Sequence, residues 1–70
     1  MGKRSLIQAI ERQKELTNKR KAEYDKRAVQ LAEGLITYDE LGDYADMWFY
    51  ETTYLTAMKR ALSLIEMEEE

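Results

Sequence analysis

The sequence predicts an all-α fold, a long helical hairpin that pairs with a second copy into a four-helix arrangement. Three observations carry this expectation. The 70 residues include no proline and only three glycines, so little interrupts a helix. Two capping sequences, Ser5-Leu6-Ile7-Gln8 and Thr37-Tyr38-Asp39-Glu40, each open a long run free of strong breakers, with a hydroxyl and a Gln or Glu side chain at the spacing that satisfies orphan amides reciprocally. Apolar residues then recur at three- and four-residue spacing in both runs.

The first helix is expected over about residues 5–33. Gly34 follows as the residue free to turn left-handed at the helix end, and residues 34–37 form the turn. Along the helix, Leu6, Ile10, Thr17, Tyr24, Ala28, Leu31 and Leu35 fall on one stripe. The stripe is thin in its middle: eleven of the seventeen positions from Glu11 to Arg27 are charged, so this stretch is expected to project into solvent or to pack through alkyl stems and Tyr24.

The second helix is expected over about residues 38–67. Ile36 and Leu41 flank its cap where a hydrophobic staple would sit. Gly42 costs about 1 kcal/mol against alanine inside a helix, and Asp43 beside it is a good N-cap, so a break or kink is expected near Gly42. Residues 66–70 hold four glutamates; acids oppose the helix C-terminal dipole, and this tail is expected to fray. The whole chain, 1–70, reads as a single helical domain.

Apolar residues are more abundant in the second helix than one neighbour can cover. Tyr44, Trp48, Leu55, Met58, Leu62 and Ile65 follow heptad spacing, with Glu51 as the one departure. A second stripe, Tyr50, Tyr54, Ala57, Ala61 and Leu64, runs beside the first. The excess predicts a homodimer with the second helices central and the first helices outside. Six of the seven aromatics lie between Tyr38 and Tyr54. Periodicity sends Tyr44, Trp48 and Tyr54 inward, into a core and dimer seam with Leu55, Met58, Leu62 and Ile65, and leaves Phe49 off both stripes, as an exposed anchor or a contact with the hairpin loop.

Composition excludes most chemistry. With neither cysteine nor histidine, the chain has no disulfide, no thiol nucleophile, no imidazole base and no ordinary zinc ligand set. Ser5 and Ser63 have no base to activate them. The acids from Asp39 to Asp46 lack the ligand alternation and central glycine of a calcium loop. No catalytic residue, cofactor or metal is expected. No signal-peptide core or membrane span is evident, and a cytoplasmic protein is the expectation.

Charge is the functional clue. The formal net charge is −3, but residues 1–34 carry nine bases and five acids, whereas residues 35–70 carry two bases and nine acids. The difference between +4 and −7 makes the molecule strongly polar along its sequence. In the basic half, Arg12, Lys19, Arg20, Lys26 and Arg27 are candidates for phosphate contact. Their competing role is internal pairing at i, i+4, as in Glu15–Lys19, Lys19–Glu23, Glu23–Arg27 and Lys21–Asp25. In the acidic half, Asp39, Glu40, Asp43, Asp46, Glu51, Glu66 and Glu69 are candidates for a surface that binds a basic partner.

The stretch Gly34-Leu35-Ile36-Thr37-Tyr38-Asp39-Glu40 resembles the turn of the short helical hairpins called SHOCT domains, which implies a turn and no particular activity. In size, acidity and lack of catalytic groups the chain is similar to small phage-encoded host-takeover proteins. That similarity implies a DNA-mimicking inhibitor that occludes a basic nucleic-acid-binding protein, such as a histone-like nucleoid protein or a nuclease. The alternatives are a nucleic-acid-binding regulator that uses the basic first helix, and an assembly adaptor that docks through the aromatic stripe.

Overall fold

The computed structural model describes residues 2–69. It is a two-helix hairpin, α1 over Lys3–Ala32 and α2 over Tyr38–Glu69, about 54 Å long and 15 Å across. No strand occurs among the described residues.

α1 starts two residues before the expected cap. Gly2 is the N-cap, with extended backbone and no side-chain cap bond, and its carbonyl accepts the Leu6 amide at 3.3 Å. Ser5 therefore lies inside the first turn, and the Ser5–Gln8 capping box does not form. The far end follows expectation. The Leu35 amide reaches the Gln30 carbonyl at 2.8 Å and the Gly34 amide reaches that of Leu31 at 3.0 Å, the paired bonds of a Schellman ending. Gly34 has φ of 77°, a conformation that costs other residues a clash between Cβ and carbonyl.

Thr37 caps α2: its hydroxyl accepts the Glu40 amide at 3.2 Å and donates to the Glu40 carboxylate at 3.3 Å. From there α2 continues unbroken through Gly42, correcting the expected break. The glycine's propensity cost of about 1 kcal/mol is outweighed because Leu41 is buried and Tyr44 half-buried on either side of it. A break at Gly42 would carry one of them off α1. α2 also continues through Glu69, where Lys3 bridges back to Glu66 at 3.5 Å and Glu69 at 3.2 Å.

The helices pack antiparallel along two heptad seams. On α1 the inward positions are Leu6, Ile10, Gln13, Thr17, Arg20, Tyr24, Arg27 and Leu31; on α2 they are Leu41, Tyr44, Trp48, Glu51, Leu55, Met58, Leu62 and Ile65. All are buried or half-buried, as three- and four-residue spacing requires of a coiled-coil interface. The middle of α1 does not project into solvent. It stays in the seam by using polar groups: Gln13 Nε2 donates to the Glu51 carbonyl oxygen at 3.1 Å, and the Thr17 hydroxyl donates to the same oxygen at 3.4 Å. Above this polar layer the Tyr24 and Trp48 rings meet with centroids 5.3 Å apart. The Arg27 guanidinium lies 4.9 Å from the centroid of the Tyr44 ring, a cation–π contact.

The resulting core is thin. Ile10 and Leu41 are the only buried apolar residues among those described, and Gln13 and Thr17 are the buried polar ones. Leu35, expected on the α1 stripe, lies in the turn and is exposed.

Candidate interaction surface

Three surfaces follow from how the seams use up the two helices. The first is the outer face of α2. With Tyr44, Trp48, Leu55, Met58, Leu62 and Ile65 turned to α1, heptad geometry turns Met47, Tyr50, Tyr54, Ala57, Ala61 and Leu64 away from it. Tyr50 is 71% exposed, Tyr54 53% and Leu64 44%. Tyr54, expected in the core and dimer seam, does not face α1: it lies about 100° round the helix from Leu55, on the flank that also carries Tyr50. Phe49 is 73% exposed, as an anchor residue would be. Shallow grooves run across this face, one lined by Phe49, Tyr50, Thr53, Tyr54, Ala57 and Asp46.

The second surface is acidic. Asp39, Glu40, Asp43 and Asp46 are all exposed within the first turns of α2, where carboxylates also complement the helix dipole. None of the four makes an ion pair among the described residues. Asp39, Asp43 and Asp46 succeed one another at four and three spacing, which aligns them on one ridge, and that ridge runs on into Tyr50 and Tyr54. Asp46 also borders the groove formed with Tyr24, Ala45, Trp48, Phe49 and Thr52. The structure does not bring the other three acidic candidates to this ridge. Glu51 is half-buried at the polar layer, and Glu66 and Glu69 are engaged by Lys3 at the far end of the rod.

The third surface is basic. Arg12, Lys19 and Lys26 are exposed at seven-residue intervals, so they share one face of α1. Arg20 and Arg27 are not part of it. Arg20 is half-buried and pairs with Glu23 at 3.5 Å, and Arg27 donates to Gln30 at 2.7 Å while stacking on Tyr44. Of the four i, i+4 pairs expected, Lys21–Asp25 forms at 3.4 Å; Glu23 instead takes Arg20 three residues earlier.

Sequence reasoning missed Gln13 as a seam residue because a glutamine amid charges reads as surface. The heptad count from Leu6 and Ile10 would have placed it inward. Among the described residues, no three His, Cys, Asp or Glu side chains gather to hold a metal ion, and no helix is long and apolar enough to cross a membrane. The chain matches no known family model, no curated protein and no solved structure.

Proposed function

We propose that this chain is a non-enzymatic interaction protein of the cytosol, working as a pair of hairpins, that occupies the basic, nucleic-acid-binding surface of a partner protein. The observation that carries this reading is the ridge of Asp39, Asp43 and Asp46, with Glu40 beside it: four exposed carboxylates, none in an ion pair among the described residues. A rigid helix holds these charges at fixed intervals, as a phosphate backbone does, and unpaired charge of one sign steers a basic surface into contact. Phe49, one turn beyond Asp46 and exposed, supplies apolar contact at the edge of the acidic footprint.

The test is affinity capture from nuclease-treated cell lysate. The wild-type chain should retain basic nucleic-acid-binding proteins that added double-stranded DNA releases. The Asp39→Lys, Asp43→Lys, Asp46→Lys triple variant should retain none while its helical circular dichroism is unchanged. Equal capture by both chains would overturn the reading. Tight, salt-sensitive binding of DNA by the wild-type chain itself would instead favour the Arg12, Lys19 and Lys26 face.

A further inference from the structure

The outer face of α2 is built to be covered by a second copy of itself, and we infer that two hairpins pair antiparallel through it, Tyr50 of each copy packing over Ala61 of the other and Tyr54 over Ala57. This rests on the proposal that the hairpin works as a pair and adds the face, the direction and the register.

The pattern is the first argument. Met47, Tyr50, Tyr54, Ala57, Ala61 and Leu64 keep three- and four-residue spacing over five turns of α2, a second heptad seam with no partner helix in the single hairpin. Its side chains are graded by size. The N-terminal half carries two tyrosines and the C-terminal half two alanines. Parallel pairing in register would set tyrosine on tyrosine at one end and alanine on alanine at the other, so the helices would splay apart over the tyrosines and leave a gap over the alanines. Antiparallel pairing sets each ring over a methyl group and lets the two helices approach evenly along the seam. Met47 then meets Leu64 at both ends. Large-on-small alternation is how close-packed interfaces fill space without voids.

Area is the second argument. The exposed parts of Tyr50, Tyr54, Met47 and Leu64 amount to on the order of 400 Å² of side chain, given 150–250 Å² for each large aromatic. Set against a total surface of 5495 Å², this is the greater part of the tenth of its surface that a small protein gives to a standard interface, before Ala57, Ala61 and the flanking side chains are counted. Among the described residues the single hairpin buries only Ile10 and Leu41 of its apolar side chains, and a 70-residue chain without disulfides depends on such additional burial.

Charge does not distinguish the two directions. Parallel pairing would superpose the two clusters of Asp39, Glu40, Asp43 and Asp46, eight carboxylates at one end. Antiparallel pairing separates the clusters to opposite ends of the assembly, where the register sets Asp43 against Glu68 of the other copy and leaves Asp39 and Glu40 beyond its last described turn. Like charges held opposite one another oppose association in both directions, so the direction rests on the gradation of side-chain size.

The chain lacks cysteine, so single cysteine labels report cleanly. Light scattering after size exclusion at tens of micromolar should give twice the 8.3 kDa chain mass; a mass of one chain overturns the pairing. Spin labels on Asp39→Cys should lie about 50 Å apart, from the register above and 1.5 Å per residue. A separation below about 25 Å, as adjacent parallel ends would give at an interaxial distance of 8–10 Å plus label length, overturns the direction while leaving a pair. Ala57→Glu with Ala61→Glu, both solvent-facing in the single hairpin, should drop the mass to one chain. A two-chain mass in that variant overturns the choice of face.

Discussion

The clearest quantitative test of the hairpin seam is one substitution made at two neighbouring isoleucines. Ile10 is 4% exposed and Ile7 is 40% exposed, although only three residues separate them. The register fixed by Lys3 at one side and Gln13 at the other sets Ile10 against the stretch of α2 between Glu51 and Glu66, where Leu55, Met58 and Leu62 are half-buried. Truncating a buried isoleucine to alanine costs about 2–5 kcal/mol, the higher values belonging to sites that cannot collapse. Among the described residues no side chain is fully enclosed, so water and neighbouring side chains can enter the space, and Ile10→Ala should cost about 2–3 kcal/mol. Unfolding entropy near 2.1 cal/mol/K per residue gives about 0.15 kcal/mol/K for 70 residues. The corresponding loss in Tm is about 15–20 °C. Ile7→Ala removes the same atoms from a site already partly hydrated and should cost under about 1 kcal/mol. Thermal unfolding followed by circular dichroism at 222 nm, both variants at one fixed concentration, reads the difference. Equal losses for the two would refute the seam assignment, because the heptad places one isoleucine in it and the other outside.

Two further outcomes follow from the backbone and from the far end of the rod. A Cβ added at Gly34 or at Gly42 meets nothing within 4 Å, so each substitution by alanine reads backbone conformation alone. Gly42→Ala, inside α2, should stabilise by about 1 kcal/mol, and Gly34→Ala, at positive φ, should destabilise by about 1–2 kcal/mol; changes of the same sign in thermal unfolding would contradict the continuous helix or the left-handed turn. The hydrogen bond to Glu69, the charge of that carboxylate and the charge of Glu66 raise the Lys3 pKa above its ordinary 10.5. A raised folded-state pKa means the contact contributes fully below about pH 10.5 and is lost as pH rises through the higher folded value. An NMR titration of the Lys3 side chain should therefore show a midpoint above 10.5 that falls back in Glu69→Gln, and a midpoint indifferent to that substitution would exclude the contact in solution.

Much of this fold could be read from the residues alone, and the exceptions have physical causes. Gly34 and the Thr37–Glu40 box specify the turn because both act through local backbone geometry, and the structure uses both. The Ser5–Gln8 box obeys the same local rule yet is unused: nothing from Lys3 to Ser5 disfavours helix, and Lys3 gains Glu66 and Glu69 as partners from the far helix. Gly42 is the converse case, a local preference overruled by packing on either side. Tyr54 could be read on both stripes of the second helix, inward with Tyr44 and Trp48 or beside Tyr50 and Ala57, and the register of the inner seam through Glu51 sets it on the second. The acidic surface was partly evident. Consecutive acids at Asp39–Asp46 remain together on a helix, but the pairing of Glu66 and Glu69 with Lys3 depends on residues more than sixty positions apart, which no local pattern encodes.

The polar layer at the middle of the hairpin has an evolutionary consequence. Gln13 and Thr17 both seek the backbone oxygen of residue 51, so the alignment of the two helices is encoded on α1 and is blind to the side chain that α2 presents there. Position 51 can therefore exchange its carboxylate for any side chain that fits the half-buried seam without losing these hydrogen bonds, whereas changes at 13 or 17 are felt at once. Diverged sequences of this hairpin should show constraint on one side of the contact and freedom on the other, an asymmetry that a search for paired substitutions would overlook.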